Sequence, residues 1–135
     1  MARYVIDATT LVHLVASDTP IDSSHQLVAP NAIRSQALSL LLAAVRRDEL
    51  SESLALEHHE RLTEVKLRLL GDRVSRRTAW RIAMEQGWDT LCDAEYLAIT
   101  KLQADALVTI DPSLAAKARN LAPLAPLAAL TAERG

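Results

Sequence analysis

The sequence predicts an α/β domain with a central, mainly parallel sheet. Two short apolar runs, Arg3-Tyr4-Val5-Ile6 and Ala106-Leu107-Val108-Thr109-Ile110, have the length and β-branched content of strands buried on both faces. The stretches between and after them carry apolar residues at helical spacing, and strands alternating with helices imply parallel pairing. Each run also ends in an aspartate, Asp7 and Asp111. A chain of 135 residues suits one domain, spanning 1–135, and is long enough to bury a core.

After the first strand, Thr9 or Thr10 is expected to cap a short helix through Leu11, Val12, Leu14 and Val15. The segment from Ser17 to Gln26 carries Asp18, Pro20, Asp22 and two adjacent serines, and reads as a surface loop. Leu27-Val28-Ala29 reads as a second short strand, ended by Pro30. From Asn31 onward, Ile33, Ala37, Leu40, Leu41, Ala44 and Val45 recur at helical spacing, with Arg46 and Arg47 at the negative end of the dipole. Ser51 is expected to cap a helix that buries Leu62, Val65 and Leu69 and stops at Gly71. A helix from about Ser75 to Gln86 turns Ala79, Ile82 and Ala83 inward, with Gly87 just past its end. Asp89-Thr90 then signals a helix through Leu91, Ala94, Ala98 and Leu102 that leads into the second aspartate-ended strand. Pro112 suits the first turn of a helix through Leu114, Ala115 and Ala118. The Ala/Pro/Leu-biased tail from Leu121 is expected to hold one edge strand and then fray.

Composition excludes several function classes. The three glycines, Gly71, Gly87 and Gly135, are too scattered for the clustered loops that cradle phosphates in Rossmann and P-loop proteins. The single cysteine, Cys92, forms no internal disulfide and is expected to point into the core. His13, His58 and His59 lack the spacing or the cysteine partners of a zinc site. The early apolar stretch is broken at Asp7 and no run nears the roughly 20 residues of a membrane span, so a cytoplasmic location is expected. The net charge of −2 conceals an uneven distribution. From Arg61 to Arg81 seven positive side chains face two acids, whereas from Ile82 to Ala115 six acids face only Lys101. A basic stretch beside an acidic cleft draws a nucleic-acid backbone toward it.

The strand-end acids are the main chemical signal. In parallel sheets, function gathers beyond the carboxyl ends of the strands, where Asp7 and Asp111 lie side by side if their strands are neighbours. Asp93 belongs to the helix just before the second strand. Converging carboxylates repel one another, and a hard divalent cation removes that conflict. Each acid taken alone also fits a plain helix cap.

Three segments, Val5-Ile6-Asp7-Ala8-Thr9, Asp93-Ala94-Glu95-Tyr96-Leu97-Ala98 and Leu107-Val108-Thr109-Ile110-Asp111, resemble the PIN domain. Within that family the chain is similar to the VapC-type toxins of bacterial toxin–antitoxin pairs. The pairing of the last two segments is the more specific part, and the resemblance spans essentially the whole chain. It implies a single PIN-like domain with three α/β/α layers and a Mg²⁺- or Mn²⁺-dependent endoribonuclease. It also implies a homodimer and inhibition by a cognate antitoxin. By motif, Asp7, Asp93 and Asp111 are the metal-binding, catalytic acids, with Thr9 and Thr109 as supporting hydroxyls. In one departure, the family's glutamate on the helix after Pro30 is matched here by Gln36, which keeps the shape and one acceptor oxygen but loses the charge. Two acids are candidates to compensate: Asp89, one turn upstream of Asp93 if the helix reaches that far, and Glu95, two residues on and nearly opposite. The rival reading is a PIN-fold module that binds RNA or a protein without cleaving.

Overall fold

The computed structural model describes residues 2–131. Its strands are β1 (Arg3–Ile6), β2 (Gln26–Pro30), β3 (Arg68–Leu70) and β4 (Ala106–Val108). They form one sheet in the order β3-β2-β1-β4, with every pairing parallel. The helices are α1 (Ala8–Ala16), α2 (Ile33–Arg46), α3 (Glu52–Glu64), α4 (Arg73–Gln86), α5 (Cys92–Gln103) and α6 (Pro112–Ala118), followed by a 3₁₀ turn at Leu127–Leu130. Helices α1, α2 and α3 pack on one another, while α4 lies along α5, which rests against β1, β2 and β4. The result is the expected three-layer α/β/α arrangement. Val5, Ile6, Val28, Leu107 and Val108 have no exposed surface, as a sheet covered on both faces requires. Among the described residues no helix is long and apolar enough to cross a membrane.

Several expected boundaries move. The cap of α1 is Asp7, whose side chain accepts from the Thr10 N–H; neither Thr9 nor Thr10 takes that place. Helix α2 buries only Ile33, Ala37 and Leu41, leaving Leu40 exposed and Ala44 and Val45 half-buried. Ser51 does cap α3, accepting from Leu54 N–H at 3.1 Å. That helix stops at Glu64, however, where Val65 turns extended (φ −66°, ψ 129°), and Arg68–Leu70 pairs with Val28–Pro30 as an edge strand. Leu69 is therefore exposed, and Gly71 ends no helix. Gly71 instead passes so close to Asn31 that a Cβ would run into the Asn31 side-chain amide. Asp72 caps α4 through Ser75 N–H at 2.8 Å. Helix α5 begins at Cys92 rather than near Asp89-Thr90, and Leu102 near its end is exposed. In the tail, Leu124 makes a single parallel bridge to Leu107, and Leu130 is fully buried. The expected frayed end lies outside the described residues.

The turn from α4 toward α5 depends on Gly87, which adopts φ +73° and ψ 30°. Trp88 N–H reaches back to Ala83 C=O at 2.9 Å and closes the helix. A side chain there meets no neighbour, so the cost of adding one is conformational alone. Gly87→Ala is expected to destabilise the fold by about 1 kcal/mol in urea unfolding, with an unchanged denaturant slope.

Candidate functional site

Strand register builds the site. Ile6 pairs with Val108, so the chain leaves β1 and β4 side by side, at Asp7 on one strand and Thr109 to Asp111 on the other. Both strand-end acids cap the helix that follows. Asp7 Oδ1 accepts from Thr10 N–H at 3.3 Å and from the Thr10 hydroxyl. Asp111 Oδ1 accepts from Ser113 N–H at 2.9 Å, with Pro112 in the first turn. The Thr10 hydroxyl also accepts from Ile110 N–H at 3.1 Å, stitching the two strand ends together. Thr109 Oγ1 accepts from Asp111 N–H at 3.0 Å and lies close enough to Asp7 to favour its ionised form. Capping does not compete with a second role for these acids, because a cap occupies one carboxylate oxygen and fixes where the other points.

Asp7 is 4% exposed. Burial holds its carboxyl above the ordinary value, against the opposing pull of the Thr10 and Thr109 hydroxyls. Near it, the Tyr96 hydroxyl donates to Gln36 Oε1 at 2.5 Å, and Gln36 Nε2 donates to Cys92 Sγ at 3.2 Å. Burial, and then the neighbouring Asp7 charge, push the Tyr96 hydroxyl well above its usual range, so it remains a donor at neutral pH. The Cys92 thiol is also raised, by burial and by Asp93 and Glu95, and stays protonated. Asp93, on the first turn of α5, is engaged from another direction. Its Oδ2 accepts from Lys117 Nζ of α6 at 2.6 Å. Lys117 also sits 5.2 Å from the centre of the Trp88 ring and feels the charge of Asp111. Hydrogen bonding to Asp93 keeps its ammonium above the ordinary lysine value.

The contacts form two groups, Tyr96–Gln36–Cys92 and Asp93–Lys117, with the charges of Asp7 and Asp111 acting on them from nearby. Among the described residues no three His, Cys, Asp or Glu side chains form a ready-made metal cage. Asp93 is drawn to Lys117, while Asp7 and Asp111 are turned toward their own helix ends. Thr10, not Thr9, is the hydroxyl on Asp7; Thr9 is the next position around the helix and half-buried. Asp89 is exposed in the loop before α5, so it shares no helix face with Asp93. Glu95 is half-buried, and its charge reaches Cys92 and Tyr96. Cys92 itself is exposed at the cleft rather than pointing into the core. Tyr96, Lys117 and Trp88 were not expected here. Of the three, Tyr96 carried a signal, lying one helical turn after Asp93 on the same face.

The raised Asp7 pKa has a definite consequence for stability. Between the unfolded value near 3.8 and the higher folded one, the native state binds more protons. Stability therefore falls as pH rises through that window, and at neutral pH the buried charge opposes folding. Asp7→Asn keeps the cap acceptor and removes the charge. It is expected to raise the melting temperature at pH 7, by about 3 °C per kcal/mol relieved, and to lose that advantage below the ordinary carboxylate value. Melting curves across this pH range test it, and a lower midpoint at pH 7 contradicts it.

No family model and no curated protein matches the chain. Solved structures do. The chain is similar to PAE2754 from Pyrobaculum aerophilum, at 23% identity over 95% of this chain and 92% of that one, with a TM-score of 0.72. It is also similar to VapBC-1 from nontypeable Haemophilus influenzae, at 12% identity over 89% of this chain and 95% of that one, with a TM-score of 0.53. At these identities the likeness establishes the fold, the three-layer α/β/α arrangement.

Proposed function

We propose that the chain is a Mg²⁺- or Mn²⁺-dependent endoribonuclease of the VapC kind, working with a cognate antitoxin and as a homodimer. The observation that carries this reading is the parallel adjacency of β1 and β4, which places Asp7 beside the Thr109–Asp111 segment. Asp93 pairs with Lys117, on which the charge of Asp111 also acts. Carboxylate oxygens are the donors a hard divalent ion prefers, and Asp7 is a buried acid that gains from a nearby positive charge. The fold likeness to VapBC-1 supports the antitoxin part of the proposal.

Asp7, Asp93 and Asp111 would hold the ion. When bound, it supplies Lewis acidity toward the phosphodiester and lowers the pKa of a water. The chain's own residues arrange the rest. The Thr10 hydroxyl and N–H hold the Asp7 carboxylate, the Thr109 hydroxyl favours its charge and accepts from Asp111 N–H, and Thr10 ties the two strand ends together. Tyr96, held protonated, orients Gln36, which offers a neutral amide where a fourth charge would otherwise stand. The exposed arginines of α4, Arg73, Arg76, Arg77 and Arg81, provide phosphate contacts along the adjoining helix.

Incubation of total RNA with the protein is expected to give cleavage only when Mn²⁺ is present. Asp93→Asn is expected to reduce that cleavage at least about 100-fold, and equal activity in the variant sinks the assignment. The engagement of both ends of the Gln36 amide by Tyr96 and Cys92 favours a second reading, a binding module with no cleavage. RNA retention by both wild type and Asp93→Asn, with no products at millimolar Mn²⁺, would decide for that reading. Gln36→Glu is expected to tighten Mn²⁺ binding by roughly tenfold, within the range by which neighbours of a metal site tune its affinity. Unchanged affinity in a calorimetric titration would place Gln36 outside the metal's reach.

A further inference from the structure

We propose that Lys117 is a built-in counter-ion of the acidic cleft, which an entering divalent cation must displace from Asp93, so that this lysine weakens and thereby sets metal affinity. The inference rests on the metal-site reading above. Four observations carry it. Lys117 Nζ lies 2.6 Å from Asp93 Oδ2, a full charge-assisted contact on an oxygen that a hard cation needs. The pair is partly shielded, with side-chain exposures of 37% and 33%, so water screens it less than a surface pair. The charge of Asp111 also acts on the same ammonium. Finally, the lysine has somewhere else to go. Its stem borders a hollow of about 400 Å³ formed with Gln86, Trp88, Arg119, Asn120 and Leu121, and its head already rests near the Trp88 ring.

A divalent ion and an ammonium competing for one carboxylate repel each other, and that repulsion is a coupling free energy acting in both directions. Metal binding releases Lys117, and holding Lys117 in place discourages metal. Once released, the ammonium stays tethered at the cleft edge, where Trp88 supports it.

Lys117→Met preserves an unbranched stem against Trp88 and removes the charge; Lys117→Arg keeps the charge. Mn²⁺ affinity of purified protein without RNA, read by calorimetry and by loss of the free-ion electron paramagnetic resonance signal, separates the outcomes. Lys117→Met is expected to bind Mn²⁺ about tenfold tighter than wild type, and Lys117→Arg within a few-fold of it. Equal or weaker binding by the Met variant overturns the inference while leaving the metal site standing. Absence of binding in wild type and variant alike, with native circular dichroism, removes the metal-site reading and this inference with it. A measurement on unmutated protein covers the case of a misfolded variant. Mg²⁺ added to the protein with ¹³C-labelled lysine is expected to move the Lys117 Cε resonance. Saturation with Mg²⁺ that leaves this resonance in place also overturns the inference.

Discussion

Parallel pairing of β1 with β4 is the constraint on which the rest of the molecule depends. Because Ile6 sits opposite Val108, the two chains emerge from the sheet together, and the next residues on each must share one small volume. The side chains there are polar, and water is largely excluded, since Asp7 and Thr10 are both buried. Buried polar groups must find partners, and Thr10 provides them by donating to Asp7 and accepting from Ile110 N–H. One hydroxyl thus links the end of β1, the start of α1 and the end of β4. The positions of both strand-end acids follow from that junction.

Helix capping and acidic-site formation are the same event in this structure. An N-cap carboxylate lies at the positive end of a helix dipole with its backbone in the extended region. Asp7 and Asp111 therefore begin α1 and α6 just beyond the ends of β1 and β4. Capping gives them a fixed rotamer at little entropic cost, which a site built on free side chains lacks. The remaining acid, Asp93, caps nothing; it is held by Lys117 instead. The three carboxylates are oriented by two devices, helix capping for Asp7 and Asp111 and an ion pair for Asp93.

The strand ends were legible in the sequence because their signal is local. A short β-branched run cut off by aspartate reads the same way whatever packs around it, and Gly87 and Ser51 announced their helix ends for similar reasons. What escaped was set by distance in the chain or by brevity. Three residues of edge strand at Arg68–Leu70 carry no period, so Leu69 looked like the continuation of a helix stripe. Thr9 and Thr10 are equivalent by composition, and only cap geometry, which favours the N–H three residues after the cap, selects Thr10. The Gln36–Tyr96 contact spans 60 residues and the Lys117–Asp93 contact joins two separate helices. No spacing rule reaches across such separations. Cys92 is exposed as the first residue of α5, and the same late start leaves Asp89 outside the helix.

The same two distant contacts explain how the cleft tolerates its own charge. Gln36 stands between the Tyr96 hydroxyl and the Cys92 thiol, both kept from ionising by burial first and then by nearby acids. The amide adds no charge there and completes a neutral chain, donated from Tyr96 into Gln36 and from Gln36 toward Cys92. On the other side, Lys117 takes up the charge of Asp93 and part of that of Asp111. Asp7 alone is left with its burial only partly offset, since hydroxyls orient a carboxylate without neutralising it. The conflict in the metal-free molecule is therefore concentrated on one carboxylate at the end of the central strand. In the proposed metal site a cation would gain most by approaching that group, while its hold on Asp93 would be contested by the lysine.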